Sequence, residues 1–180
     1  LLPMVVETAK DAKSVHIASV SSMMSFVSSV QPTRFLTSSD PLFMTLSALN
    51  DPKDYGKIKH YAQSKLANVL FVKELHHRVK HHGNIIATAS NPGFVRTELT
   101  TENFATNFFA RAIQKAGFFF AWSVDEAALT QVYAVTSREL TAEQHGGSFI
   151  FPIARHNTSL PLIAENLTLA KRLWEFSEAL

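Results

Sequence analysis

Three short apolar runs, separated by longer segments of helical character, constrain the fold of this 180-residue chain more than any other feature. They occupy residues 15–20, 85–90 and 148–151, and turn-forming or small polar residues border them. Runs of this length are typical of buried strands. Strands that alternate with helices predict an α/β fold with a parallel sheet, and three strands make about half of a doubly wound sheet. We therefore expect an incomplete doubly wound sheet of about three mutually parallel strands with flanking helices.

The segments between these runs predict four helices, at residues 1–10, 55–82, 125–137 and 167–178. Gly83 is placed to end the second helix, and Ser123 is placed to cap the third. Residues 102–122 are rich in phenylalanine and predict one or two further helical pieces. Residues 23–49 contain serines and prolines without a clear period, so they predict a long loop.

The overall composition excludes several classes of function. The chain has no cysteine, so disulfides, thiolate catalysis and cysteine zinc sites are ruled out. Its 17 basic and 15 acidic residues give a net charge of +2, which provides no reason to expect a nucleic-acid partner. The most apolar stretch, residues 104–122, is interrupted by charged side chains and predicts no membrane span. With 46% hydrophobic residues, we expect a single globular domain. The absence of cysteine fits an intracellular protein, and we expect the cytoplasm.

Four histidines lie close together near the end of the second predicted helix, at His76, His77, His81 and His82. Histidines four residues apart can share a helix face and bind a metal ion. No carboxylate completes a site in this stretch, so we interpret it as an exposed helix end and predict no metal site.

Tyr61 and Lys65 form the strongest local signal for chemistry. Residues four apart lie one turn from each other on the same side of a helix. A phenol titrates near pH 10, too high for a base at neutral pH, but a nearby ammonium favours the phenolate. Such a pair can exchange a proton with an alcohol or a carbonyl, although the spacing alone is common by chance.

The position of this pair in the chain makes the signal more specific. It follows Ser21 and Ser22, which end the first predicted strand, and it precedes residues 92–97, which follow the second. Ligands of open α/β sheets bind at the carboxyl ends of the strands. We therefore expect the three pieces to converge on one crevice.

In this order the motifs resemble those of the short-chain dehydrogenase/reductase family, in particular its retinol-dehydrogenase-like branch. Residues 15–24 resemble the family's strand that ends in a catalytic serine, residues 61–65 its YxxxK motif, and residues 91–97 its PG motif with a downstream threonine. Residues 66–71 and 147–152 match as well, so the resemblance covers nearly the whole chain. It implies a Rossmann-like fold and an oxidoreductase that transfers hydride between NAD or NADP and a small alcohol or carbonyl substrate.

The resemblance also implies a catalytic role for three residues. Tyr61 is expected to donate or accept the proton, and Lys65 is expected to favour the Tyr61 phenolate and to bind the nicotinamide ribose. Ser22 is expected to hold the substrate oxygen. Ser21 is the alternative for that role, and Ser22 is preferred because the family's serine is usually the second of such a pair.

Cofactor contacts are implied for Tyr61, Lys65, Pro92, Gly93 and Thr97, the last to the nicotinamide carboxamide. The family's glycine-rich phosphate turn is absent, because the six glycines, at 56, 83, 93, 117, 146 and 147, are scattered. We therefore interpret residues 1–180 as the C-terminal portion of one domain, with upstream sequence missing. The isolated chain is expected to be inactive.

Other interpretations remain open. A non-catalytic scaffold that binds a partner would keep the fold without the reaction. A sugar epimerase of the extended branch also uses YxxxK, but the terminal segment is too short for that branch's substrate domain. The phenylalanine-rich stretch fits ordinary core or interface, or an apolar substrate pocket. A homo-oligomer is a further expectation.

Overall fold

The computed structural model describes residues 1–26, 57–96, 121–157 and 160–180. The start of the predicted long loop is a short 3₁₀ helix, Met23–Phe26. The rest of that loop, most of the phenylalanine-rich stretch and Thr97 lie outside the described residues.

The described residues form one sheet with the strand order β1–β2–β3–β4. Its strands are β1 (Val15–Val20), β2 (Ile85–Ser90), β3 (Phe149–Phe151) and β4 (Arg155–Asn157). β1 and β2 are parallel and in register over their whole length, with Val20 opposite Ser90. β3 is parallel to β2. The predicted set of parallel strands is therefore confirmed, close to the predicted bounds.

β4 is a strand that the sequence pattern does not predict. It runs antiparallel to β3, with Phe149 opposite Asn157 and Phe151 opposite Arg155. Its three residues are polar and show no alternation of apolar and polar side chains, which is the usual signal for a half-buried strand. The backbone becomes a strand here because the turn after β3 folds it back against that strand.

The helices are α1 (Leu2–Asp11), α2 (Lys57–Val79), α3 (Val124–Thr136), α4 (Ala142–His145) and α5 (Leu167–Glu178). A 3₁₀ turn, Lys80–His82, extends α2 and ends at Gly83, whose φ of 73° is left-handed. At the start of α3, Ser123 and Glu126 form a reciprocal capping box. Both predicted helix boundaries are therefore confirmed. No helix in the described ranges is long and apolar enough to cross a membrane.

The sheet is covered by helices on both faces. On one face, α2 and α5 pack against the sheet through a large core that includes Leu66, Val69, Ile85, Ala87, Phe149 and Leu169. On the other face, α3 and α4 enclose a smaller core of Ile86, Ala134, Leu140, Ala142 and Ile150. Alternate residues of β2 face opposite cores, and all six are buried. Four of the six residues are apolar, as expected for a strand covered on both faces, and the other two are the small polar residues Thr88 and Ser90.

His76 lies on α2 where that helix passes the turn between α4 and β3. Its ring fills the space beside Gly146, where a methyl group would collide with it. Its Nδ1 atom is buried and has no hydrogen-bond partner in the part of the chain that the structure describes. Burial lowers the pKa of His76, and the charges of Lys80, Lys73 and His77 lower it further. The neutral form of the imidazole is therefore favoured in the folded protein near neutral pH.

We expect the protein to lose stability as the pH falls below about 6.5, the ordinary value for histidine. The unfolded chain then binds a proton at His76 that the folded chain excludes, and the loss continues until the pH reaches the lower pKa of the folded state. A glutamine in place of His76 cannot titrate. The free energy of unfolding of His76→Gln, measured by urea denaturation, should therefore depend less on pH than that of the unchanged protein.

His81→Gln is the matched control, because His81 is exposed at the end of the same helix. Its unfolding free energy should follow the pH dependence of the unchanged protein. The same slope in the His76→Gln variant would show that the buried imidazole is not the cause.

Candidate active site

The end of β1 is attached both to the neighbouring strand and to α2. The Ser21 amide donates to the Ser90 carbonyl at 2.7 Å, which extends the β1–β2 ladder by one residue. The Ser21 hydroxyl is buried and donates to the backbone carbonyl of Lys65 at 2.7 Å. The side chain of Ser21 is thus committed to holding strand and helix together.

Ser22 lies one residue further on and is only half-buried. Its Oγ accepts a hydrogen bond from the Met24 amide at 3.3 Å, at the start of the 3₁₀ turn. A hydroxyl that accepts one bond still has its own proton to donate. The two adjacent serines therefore differ in what their hydroxyls can do, and Ser22 is the one able to meet a ligand.

Tyr61 and Lys65 lie one turn apart on α2, as the spacing predicts. The Lys65 Nζ atom is 5.7 Å from the centroid of the Tyr61 ring. Lys65 also donates to the Val20 carbonyl at 3.3 Å, so its ammonium lies at the end of β1. Tyr61 is 42% exposed, which leaves its hydroxyl accessible to a ligand.

Asn68 is a polar residue of this region to which the sequence analysis assigns no role. Its Nδ2 atom donates to the Val20 carbonyl at 2.9 Å. It lies seven residues after Tyr61 and three after Lys65, so all three share one side of α2. That spacing is the signal in the sequence that could have pointed to it.

The turn after β2 brings Pro92 and Gly93 to the same edge of the sheet. Gly93 has a left-handed φ of 84°, and its amide donates to the Asn91 side chain at 3.1 Å. A Cβ atom on Gly93 would lie 2.7 Å from Cδ1 of Trp122 and 3.0 Å from Cγ of Pro152. Glycine is therefore needed here both for the backbone conformation and for the close approach of the indole ring.

Trp122 is held against this turn by backbone pairing. Its amide donates to the Phe94 carbonyl at 2.8 Å, and its carbonyl accepts from the Arg96 amide at 3.0 Å. The sequence analysis places Trp122 only at the end of the phenylalanine-rich stretch. The structure puts its ring beside Gly93, a contact that no local pattern indicates.

The predicted site residues inside the described ranges thus fall into two groups at one edge of the sheet. Ser21 and Lys65 are bonded to each other at the end of β1, Ser22 follows Ser21 in the chain, and Tyr61 lies one helical turn from Lys65. Pro92 and Gly93 follow the end of β2. The described residues contain no cluster of three or more histidine or acidic side chains that could hold a metal ion. These features define a doubly wound α/β protein with a polar site at the carboxyl edge of its sheet.

Comparison with known proteins gives this class a family. The chain is 33% identical over 132 residues to the chloroplastic short-chain dehydrogenase TIC 32 A of Brassica napus, which covers 72% of this chain and 38% of that protein. It is 38% identical over 119 residues to a short-chain dehydrogenase/reductase of Armillaria gallica, and this alignment covers 66% of this chain and 35% of the relative. Human retinol dehydrogenase 14 is 27% identical over 169 residues, and that alignment covers 92% of this chain and 49% of the relative. No protein-family model matches the chain.

One solved structure, of an uncharacterized protein from Mycobacterium paratuberculosis, shares the fold with a TM-score of 0.51 and 23% identity. The alignment covers 90% of this chain and 48% of that one. The chain belongs to the short-chain dehydrogenase/reductase family, as the resemblance of its motifs predicts, and retinol dehydrogenase 14 is among its relatives. It spans half or less of the length of each of these relatives.

We expect Gly93→Ala to destabilise the protein more than Gly83→Ala. Both glycines have a left-handed φ, which costs a non-glycine residue about 1–2 kcal/mol. A methyl group at Gly83 would have no other atom within 4 Å, whereas a methyl group at Gly93 would collide with the Trp122 ring. Overpacking of this kind adds roughly 1–3 kcal/mol. Urea denaturation of the two variants measures the difference.

The indole NMR signals provide a local check on this comparison. The chain has two tryptophans, so Gly93→Ala should shift the signal of Trp122 and leave that of Trp174 in place. Equal stability of the two alanine variants, with both indole signals unchanged, would show that the close approach has no energetic weight.

Proposed function

We propose that this chain carries the proton-transfer part of a nicotinamide-dependent oxidoreductase that acts on an alcohol or carbonyl substrate. The observation that carries the proposal is the direct attachment of the helix bearing Tyr61 and Lys65 to the strand end bearing Ser22. Lys65 contributes both bonds, with its Nζ donating to Val20 and its carbonyl accepting from Ser21. The three candidate catalytic residues are thereby fixed to one rigid junction, which suits a site that must keep its geometry.

In this proposal Tyr61 is the residue that exchanges a proton with the substrate oxygen. In reduction its hydroxyl donates the proton to the carbonyl oxygen, and in oxidation the phenolate accepts it from the alcohol. Lys65 places its ammonium 5.7 Å from the centroid of the Tyr61 ring, beside the reacting group. Ser22 donates a hydrogen bond to the same substrate oxygen and so orients it. Ser21 takes no part in the chemistry, because its hydroxyl is committed to the Lys65 carbonyl.

The donor set at this edge fits the nicotinamide end of NAD or NADP. The Lys65 ammonium and the Tyr61 hydroxyl are polar groups suited to ribose hydroxyls, and Tyr61 is well exposed. Pro92 and Gly93 would border the nicotinamide, with Thr97 contacting its carboxamide. When bound, this cofactor supplies or accepts the hydride.

The phosphate groups of the cofactor require residues that this chain does not supply. Its six glycines form no phosphate-binding turn, and the chain spans only part of its relatives. We therefore propose that residues 1–180 act as the C-terminal portion of one domain, together with a dinucleotide-binding half. The complete protein is the form in which the reaction is expected.

Two features support an apolar substrate. The phenylalanine-rich stretch precedes Trp122, whose ring lies beside the Gly93 turn. Among the relatives, retinol dehydrogenase 14 is named for retinol, an apolar alcohol. We propose an alcohol or carbonyl compound of that general character, bound at the Ser22 and Tyr61 hydroxyls.

Tyr61→Phe should reduce turnover by roughly 100- to 10,000-fold, the usual contribution of a positioned general acid or base. Phenylalanine keeps the ring but cannot pass a proton, so the affinity for NADH or NADPH should change little. Turnover is measured in the complete protein by the absorbance of the reduced nicotinamide with a panel of apolar aldehydes and alcohols. Tyr133→Phe is the matched control, because Tyr133 lies on α3 and bonds His156 instead.

If the Tyr61→Phe variant retains full turnover, Tyr61 is not the general acid or base of the reaction. If the unchanged complete protein binds neither cofactor and reduces no carbonyl compound, the non-catalytic scaffold is the correct interpretation instead.

Alanine substitutions of the two serines should affect different properties of the protein. Ser22→Ala should lower turnover by a factor on the order of 100, because it removes a donor to the substrate oxygen, and should leave stability nearly unchanged. Ser21→Ala should instead lower the free energy of unfolding by about 1–3 kcal/mol, because it removes a buried hydrogen bond to the Lys65 carbonyl. Turnover and urea denaturation of both variants separate these effects. The reverse pattern would make Ser21 the catalytic serine.

A further inference from the structure

The Val20 carbonyl, at the last residue of β1, receives hydrogen bonds from two side chains of α2. Asn68 Nδ2 donates to it at 2.9 Å, and Lys65 Nζ donates at 3.3 Å. The same face of α2 carries Tyr61 one turn before Lys65. A single backbone oxygen is therefore shared between a neutral amide and the ammonium that the proposed reaction needs.

The two donors are not equivalent. The Asn68 side chain is short and uncharged, and it forms the shorter of the two bonds. The Lys65 side chain is long and flexible, so its ammonium can turn from the strand end toward a ribose hydroxyl. If it does so, the Val20 carbonyl still keeps one side-chain partner, and the bond from Asn68 still joins the end of β1 to α2.

We propose that Asn68 is a positioning residue for the reaction described above, and this inference rests on that proposed function. Asn68 satisfies the Val20 carbonyl, which frees Lys65 to act on Tyr61 and the cofactor. The same bond holds the end of β1, and with it Ser22, against α2. Asn68 touches neither substrate nor cofactor in this arrangement, and it acts through Lys65 and the strand end.

Removal of the Asn68 side-chain amide should keep the Lys65 ammonium bonded to the end of β1 for more of the time. Without Asn68, Lys65 is the remaining α2 donor to the Val20 carbonyl, so moving it toward the ribose breaks that bond. The ammonium then spends less time near Tyr61 and the cofactor, so turnover should fall.

The test uses Asn68→Leu in the complete protein, because leucine has a similar size and no donor. We expect kcat to fall on the order of 10-fold, as for a modest misplacement of catalytic groups. The dissociation constant for the cofactor should change much less than kcat. A loss of fold stability alone would not produce this split between kcat and the dissociation constant.

Two further variants make the result specific. Asn68→Gln keeps the amide and should recover a large part of the lost kcat. His77→Leu removes a polar side chain from an exposed position of the same helix and should leave kcat and the dissociation constant for the cofactor unchanged. If Asn68→Leu matches His77→Leu in kcat, Asn68 has no positioning role.

Hydrogen exchange separates this inference from the proposed function. The amide of Ser21 donates to Ser90, so its exchange rate reports whether the end of β1 is held. Asn68→Leu should accelerate exchange at the Ser21 amide by about tenfold relative to His77→Leu, whether or not the protein shows turnover. Unchanged exchange would refute the positioning of the strand end by Asn68. Accelerated exchange without turnover would support that positioning while refuting the oxidoreductase proposal.

Discussion

β1 and β2 lie side by side, parallel and in register, so that Val20 and Ser90 reach the same edge of the sheet. This pairing depends on covering β2 by helices on both faces, because its six residues are all buried. Once the register is fixed, the segments after both strands must leave the sheet at neighbouring points. The serine pair and the Pro92–Gly93 turn are brought together by this backbone geometry, without any direct bond between them.

α2 serves the fold and the site with different faces. Leu66, Val69 and Val72 lie in the large core and hold the helix on the sheet. Tyr61, Lys65 and Asn68 lie along another stripe, and two of them reach the end of β1. Because the core face fixes the rotation of the helix, the direction of the polar stripe follows from apolar packing. The catalytic geometry that we propose is therefore a consequence of burial as well as of the polar residues themselves.

The described part of the chain contains the groups that we propose for proton transfer. It contains the groups proposed to move a proton and to orient the substrate oxygen, on a strand end and a helix that are bonded to each other. Trp122 brings the end of the phenylalanine-rich stretch against the Gly93 turn.

Much of the fold could be predicted from the sequence, because the relevant signals are local. Short apolar runs identified β1, β2 and β3, and Gly83 and Ser123 marked helix boundaries through their own backbone and capping preferences. The spacing of Tyr61 and Lys65 needed only the period of a helix. The motif resemblance supplied the family, which the relatives confirm.

Other features required the tertiary structure, because they depend on residues far apart in the chain. β4 has no apolar alternation and exists through its pairing with β3. The difference between Ser21 and Ser22 depends on a carbonyl 44 residues away, and the contact of Asn68 joins residues 48 apart. Adjacent serines look alike in a sequence, since only packing decides which hydroxyl is buried. The sequence by itself determined the elements and the chemical groups, whereas the folded sheet decided which of those groups meet.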